Sequence, residues 1–103
     1  MPKGIYRDRR ERLRASPEVF PTMLADFLET DVRENPAWCE ELLNGLDHAR
    51  GGERFAAYGN VYELSAGPMG VELRDGGANA RAPLRLAIAD LKRALAAWRR
   101  AIG

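Results

Sequence analysis

The spacing of apolar positions changes along this chain. Phe20, Leu24, Phe27 and Leu28 recur at about 100° per residue, with Asp31 on the same side and Asp26 and Glu29 opposite. That pattern predicts a helix. It starts either at Ser16-Pro17, an N-cap followed by a first-turn proline, or after a short turn at about Pro21. Asn35-Pro36 repeats the signal and predicts a second helix. Cys39, Leu42, Leu43 and Leu46 line one face of it, Trp38 lies at the edge, and Glu40, Glu41 and Asn44 lie opposite. Gly51-Gly52 closes this helix.

The period then falls to two. In "RFAAYGNVYELSAGPMGVELRDG", Tyr62 and Leu64 share one face with Val71 and Leu73, while Glu63, Ser65, Glu72 and Arg74 face the other way. Gly59-Asn60 reads as a two-residue hairpin turn of type II′, and Gly67-Pro68 as part of a second, longer turn. "DGGANA" reads as a flexible loop, and Leu84 and Leu86 suit a short strand after it. The last segment returns to the helical period: Ile88, Leu91, Leu95, Trp98 and Ile102 form a stripe, Arg93 and Arg100 lie opposite, and Lys92 and Arg99 lie on the flank. The expected fold class is α+β: two N-terminal helices, a three-stranded antiparallel meander, and a C-terminal amphipathic helix packed on one sheet face. The first stretch has few apolar anchors, Ile5, Tyr6 and Leu13. Its Arg7–Glu11 and Asp8–Arg12 spacings predict a weak helix or a partly ordered basic arm over residues 1–15, ahead of a single domain over 16–103.

Composition adds bounds. At 103 residues and 46% apolar content the chain suits one domain with a modest core. No apolar run reaches the roughly 20 residues of a membrane span, and "MPKGIYRDRRERLR" lacks the apolar region of a secretory signal. With Cys39 the only cysteine, no internal disulfide can form, and the expected setting is the reducing cytoplasm.

Charge changes the picture more. The chain carries only +1 overall, yet Lys3–Arg14 holds +4, Glu18–Asp47 holds −7, and Leu84–Gly103 holds +4. The acidic block is either a pair of solvated helix faces or a recognition surface. In the second case Asp26, Glu29, Glu34, Glu40, Glu41 and Asp47 would steer a basic protein partner into place. The basic face of the last helix would pair with that block within the fold or across a homodimer. The basic arm suggests nucleic acid only weakly, because acids interrupt it and the neighbouring block repels phosphate.

Catalytic chemistry is scarce. Cys39 and His48 are the only Cys and His, and nine residues of helix separate them by about 13 Å. Cys39 reads as a buried thiol, and His48 as a favourable last-turn residue. One His and one Cys make no structural zinc set, no calcium loop is present, and "GGER" follows a helix where a phosphate cradle would follow a strand. The expectation is a non-enzymatic protein with no catalytic residue, no cofactor and no metal.

"GERFAAYGNVYELSAGPMGVELRD", a glycine-punctuated hairpin of alternating aromatic and aliphatic residues, leads into "LRLAIADLKRALAAWRRAI", a leucine pair followed by a helix with a late Trp. This half of the chain resembles a group of small bacterial cytosolic proteins. The group includes immunity proteins of contact-dependent and other interbacterial toxin systems. The resemblance implies an inhibitor that binds and neutralises a cognate toxin domain, such as a nuclease, and implies no particular site residue. The alternative is a nucleic-acid- or ribosome-associated accessory protein using the basic arm. Self-association through the last helix is a third possibility.

Overall fold

The computed structural model describes residues 1–77 and 81–103. Ala78–Ala80, the end of the expected glycine-rich loop, lie outside the described residues.

The chain opens with strands β1 (Ile5–Arg7) and β2 (Leu13–Ala15), paired antiparallel with Ile5 opposite Ala15 and Arg7 opposite Leu13. Burial of Ile5, Leu13 and Ala15 in the common core fixes this hairpin. Asp8 turns the chain: its carboxylate accepts from the Arg10 and Arg12 backbone N–H groups and from Arg12 Nε. The Asp8–Arg12 spacing therefore serves a side-chain-capped turn in place of a helical turn, the usual competition between short acids and helix.

A turn at Ser16 follows, with the Val19 and Phe20 N–H groups donating to its carbonyl. Helix α1 then spans Thr22–Phe27, so of the two expected starts the later one is used. It passes directly into a π-helical turn over Leu28–Val32, closed by Arg33 N–H donating to Leu28 O at 2.8 Å. Helix α2 spans Pro36–Arg50. Asn35 caps it by accepting from Trp38 N–H, and Pro36 occupies the first turn where no N–H is needed.

Strands β3 (Phe55–Tyr58), β4 (Tyr62–Gly67), β5 (Gly70–Asp75) and β6 (Leu84–Leu86) form a four-stranded antiparallel sheet in sequential order. Helix α3 spans Ile88–Ile102. Tyr62, Leu64, Ala66, Val71 and Leu73 are buried on one sheet face. Helices α2 and α3 pack against that face and against each other.

The α+β class stands, but the expected layout of two N-terminal helices and one three-stranded meander is corrected. The described residues form two sheets, of two and four strands, and three α-helices. Leu84–Leu86 join the meander because Leu84 and Leu86 pair opposite Leu73 and Val71 and extend the oily face by one strand.

Both turns of the meander also differ from expectation. Gly59 N–H donates to Tyr62 O, so Asn60-Val61 is the first loop, and neither residue has positive φ. Gly59 is required for another reason: a Cβ there would lie 2.2 Å from Asp31 Oδ2. The second loop is the two-residue Pro68-Met69, closed by Gly70 at φ +123°. Among the described residues, no helix is long and apolar enough to cross a membrane.

A candidate docking groove between α2 and the sheet edge

The acidic stretch, Leu24–Asp47, is largely tied into the fold. Asp26 accepts from the Tyr62 hydroxyl at 2.5 Å, and that hydroxyl in turn accepts from Arg81, which also pairs with Asp75 at 3.1 Å. Burial, together with the hydrogen bond to Asp26, pushes the Tyr62 phenol up to about 12. Glu29 accepts from Arg14 Nε at 2.9 Å and from Ala15 N–H at 2.8 Å, clipping β2 to the π turn. The Glu29 charge raises the Arg14 guanidinium further.

Glu34 pairs with Arg7 at 3.0 Å. Glu40 lies 3.4 Å from Arg99 Nε, and Asp47 pairs with Lys92, so both flank cations of α3 reach across to α2. The Lys92 hydrogen bond holds the Asp47 carboxyl below its ordinary range. Of the six acids expected to face a partner, only Glu41 makes no hydrogen bond or ion pair among the described residues.

Asp31, the seventh acid of the stretch, is 8% exposed. Its carboxylate accepts from the Val61 and Tyr62 backbone N–H groups, the latter at 2.8 Å. It therefore caps the β3–β4 turn from the neighbouring π turn. The placement on the apolar side of the first helix was the sequence signal for this role.

Cys39 and His48 stay apart. Cys39 is fully buried, its thiol donates to Leu95 O at 3.3 Å, and burial pushes it up to about 11. His48 is exposed and lies 3.3 Å from Glu53. Among the described residues, no three metal-ligating side chains converge.

Two clefts follow the outer side of β3. The first, about 520 Å³, is lined by residues that include Arg33, Glu34, Trp38, Tyr58 and Asn60. The second, about 530 Å³, runs between Glu41, Leu42, Gly45 and His48 of α2 and the whole of β3. Trp38 and Tyr58 wall both, so the two form one groove. Gly45 makes its floor: a Cβ there would meet the Phe55 ring at 2.3 Å, and this contact lets β3 lie close to the helix. Tyr58 is 73% exposed, whereas Trp38 and Phe55 are half-buried against the core. Glu34 and Glu41 are the two expected site acids that line this groove; Asp26, Glu29, Glu40 and Asp47 do not.

Arg33 forms the ridge between this groove and a smaller cleft lined by Arg12, Arg14 and Glu29. Its backbone sits at φ 55°, ψ −145°, a conformation costly for any residue but glycine, and Trp98 Nε1 donates to its carbonyl at 2.7 Å.

The sequence reading missed the aromatic groove. Period two in "FAAYGNVYEL" puts Tyr58 in phase with Ala56 and with Glu63 opposite it, on the wet face, so an exposed tyrosine was the available signal. Trp38 was legible only as a residue at the edge of a helix face. No protein-family model, no curated protein and no solved structure matches the chain.

Proposed function

We propose that this protein acts by binding a protein partner, and that the partner docks on the groove between α2 and β3. In keeping with the resemblance of the second half of the chain, the partner is a toxin domain, and docking neutralises it by steric occlusion. The observation that carries the reading is the groove along the β3 edge, walled on the helix side by half-buried Trp38 and Phe55 and flanked by exposed Tyr58 from the other sheet face. Rigid aromatic side chains of this kind supply most of the binding energy in protein interfaces. Among the described residues lining the groove, no nucleophile is hydrogen-bonded to a base.

Electrostatics take a smaller part than a free acidic field would. Internal cations screen Glu29, Glu34, Glu40 and Asp47, which leaves Glu41 to orient a basic group of the partner.

The test is co-expression with the protein encoded beside it, scored by survival of the cells and by co-purification. Tyr58→Glu is expected to weaken binding at least about tenfold while leaving the fold intact, since a hot-spot aromatic contributes about 2 kcal/mol or more. Glu41→Lys should slow association and flatten its salt dependence. Full affinity in Tyr58→Glu would remove the groove from the mechanism, and failure to protect cells would remove the toxin. The basic arm is tested separately by reversing Arg9 and Arg10 at the hairpin tip. Deleting the arm would take Ile5, Leu13 and Ala15 out of the core.

A further inference from the structure

Strand β3 is an edge of the four-stranded sheet. Gly59 pairs with Tyr62 through Gly59 N–H, and alternation along the antiparallel ladder then assigns Ala57 and Phe55 to β4. The N–H and C=O groups of Ala56 and Tyr58 consequently point away from the sheet. No side chain among the described residues bonds to them.

The two sheet edges are built differently. Strand β6 has only three residues, carries exposed Arg85 at its centre and follows Pro83, all devices that discourage a further strand. Strand β3 reads Phe-Ala-Ala-Tyr, with no charge, no proline and an unbroken register.

We infer that the β3 edge takes up an extended segment of the protein partner as a fifth strand. The inference rests on the docking-groove reading and gives it a mode. Ala56 and Tyr58 offer two backbone donors and two acceptors to such a strand. Alternate side chains of an added strand point to the helix side, where the cleft between β3 and Leu42, Gly45 and His48 receives them. The small side chains of Ala56 and Ala57 leave the edge open to close backbone approach.

Glu41, which pairs with no cation among the described residues, stands on the wall of that cleft and selects a lysine or arginine in the segment. The occupant is therefore an extended peptide with alternating apolar residues and a cation beside them. A second copy of this chain fits less well, because β3 would bring one Glu41 wall against another.

The experiment selects ten-residue peptides from a random display library against the full chain and maps the binders by amide chemical shifts. Expected are peptides with the alternating apolar and basic pattern, with shifts and new exchange protection at Ala56 and Tyr58. Ala56→Pro, which removes an outward N–H and no ladder bond, should lower their affinity at least about tenfold. Methylating alternate peptide amides should abolish binding for one set and spare the other, a readout independent of how the variant folds.

Binding at the groove that survives both changes would overturn strand addition and leave the docking face standing. Peptides that map elsewhere, or no binders at all, would overturn both. A solution mass twice the chain's 11.5 kDa that halves in Ala56→Pro would assign the edge to a second copy instead.

Discussion

Replacing Trp98 with alanine is expected to lower the unfolding free energy by about 3–5 kcal/mol, a large part of what a domain of this size possesses. Trp98 is the largest of the fully buried side chains, and it projects from α3 into the core shared by both sheets. Truncation removes its transfer free energy and leaves a cavity that rigid neighbours fill only in part. It also removes the indole N–H that holds the Arg33 carbonyl. Trp98→Phe separates the two effects. It keeps most of the volume and should cost about 1 kcal/mol, the usual net contribution of one part-buried hydrogen bond. Urea unfolding followed by far-ultraviolet circular dichroism gives both values. A loss below about 1 kcal/mol for the alanine variant would mean that α3 is not a core element.

Asp31→Ala should cost about 2–4 kcal/mol, because it strands the Val61 and Tyr62 N–H groups at the β3–β4 turn. Asp31→Asn keeps one acceptor oxygen in place and should cost about half as much. The pairing with Gly59 supplies a sharper check. Gly59→Ala collides with the Asp31 carboxylate in the wild type, so its cost should shrink in the Asp31→Ala background. Purely additive costs in this cycle would show that the carboxylate does not sit against the turn.

Much of the architecture could be read from apolar spacing. The Asn35-Pro36 helix start, the alternation of Tyr62, Leu64, Val71 and Leu73, and the stripe of the last helix all appear in the structure. What escaped was set by pairing across distance. Ile5, Leu13 and Ala15 are too few to mark strands by period, and become strands because each finds the other and a shared core. Gly59 looked like a turn glycine, and its need for hydrogen in place of Cβ comes from Asp31, 28 residues earlier.

The site was legible in the same uneven way. Charge segregation along the sequence was real, but adjacency in sequence did not make a free surface. The cations that neutralise the stretch come from the first hairpin and the last helix. The groove needed α2 and β3 to be placed side by side, and no local pattern states that. Only the exposed phase of Tyr58 pointed toward it.

The acidic stretch mainly fastens the fold together and, among the described residues, leaves Glu41 as its free carboxylate. Urea unfolding of Glu29→Gln beside Glu41→Gln tests this most directly. Glu29 clips β2 through Arg14 and the Ala15 N–H, so its loss should cost about 1–2 kcal/mol. Glu41→Gln should stay within about 0.5 kcal/mol of the wild type. Equal small effects at both positions would contradict the account and return the carboxylates to a loose, solvated surface.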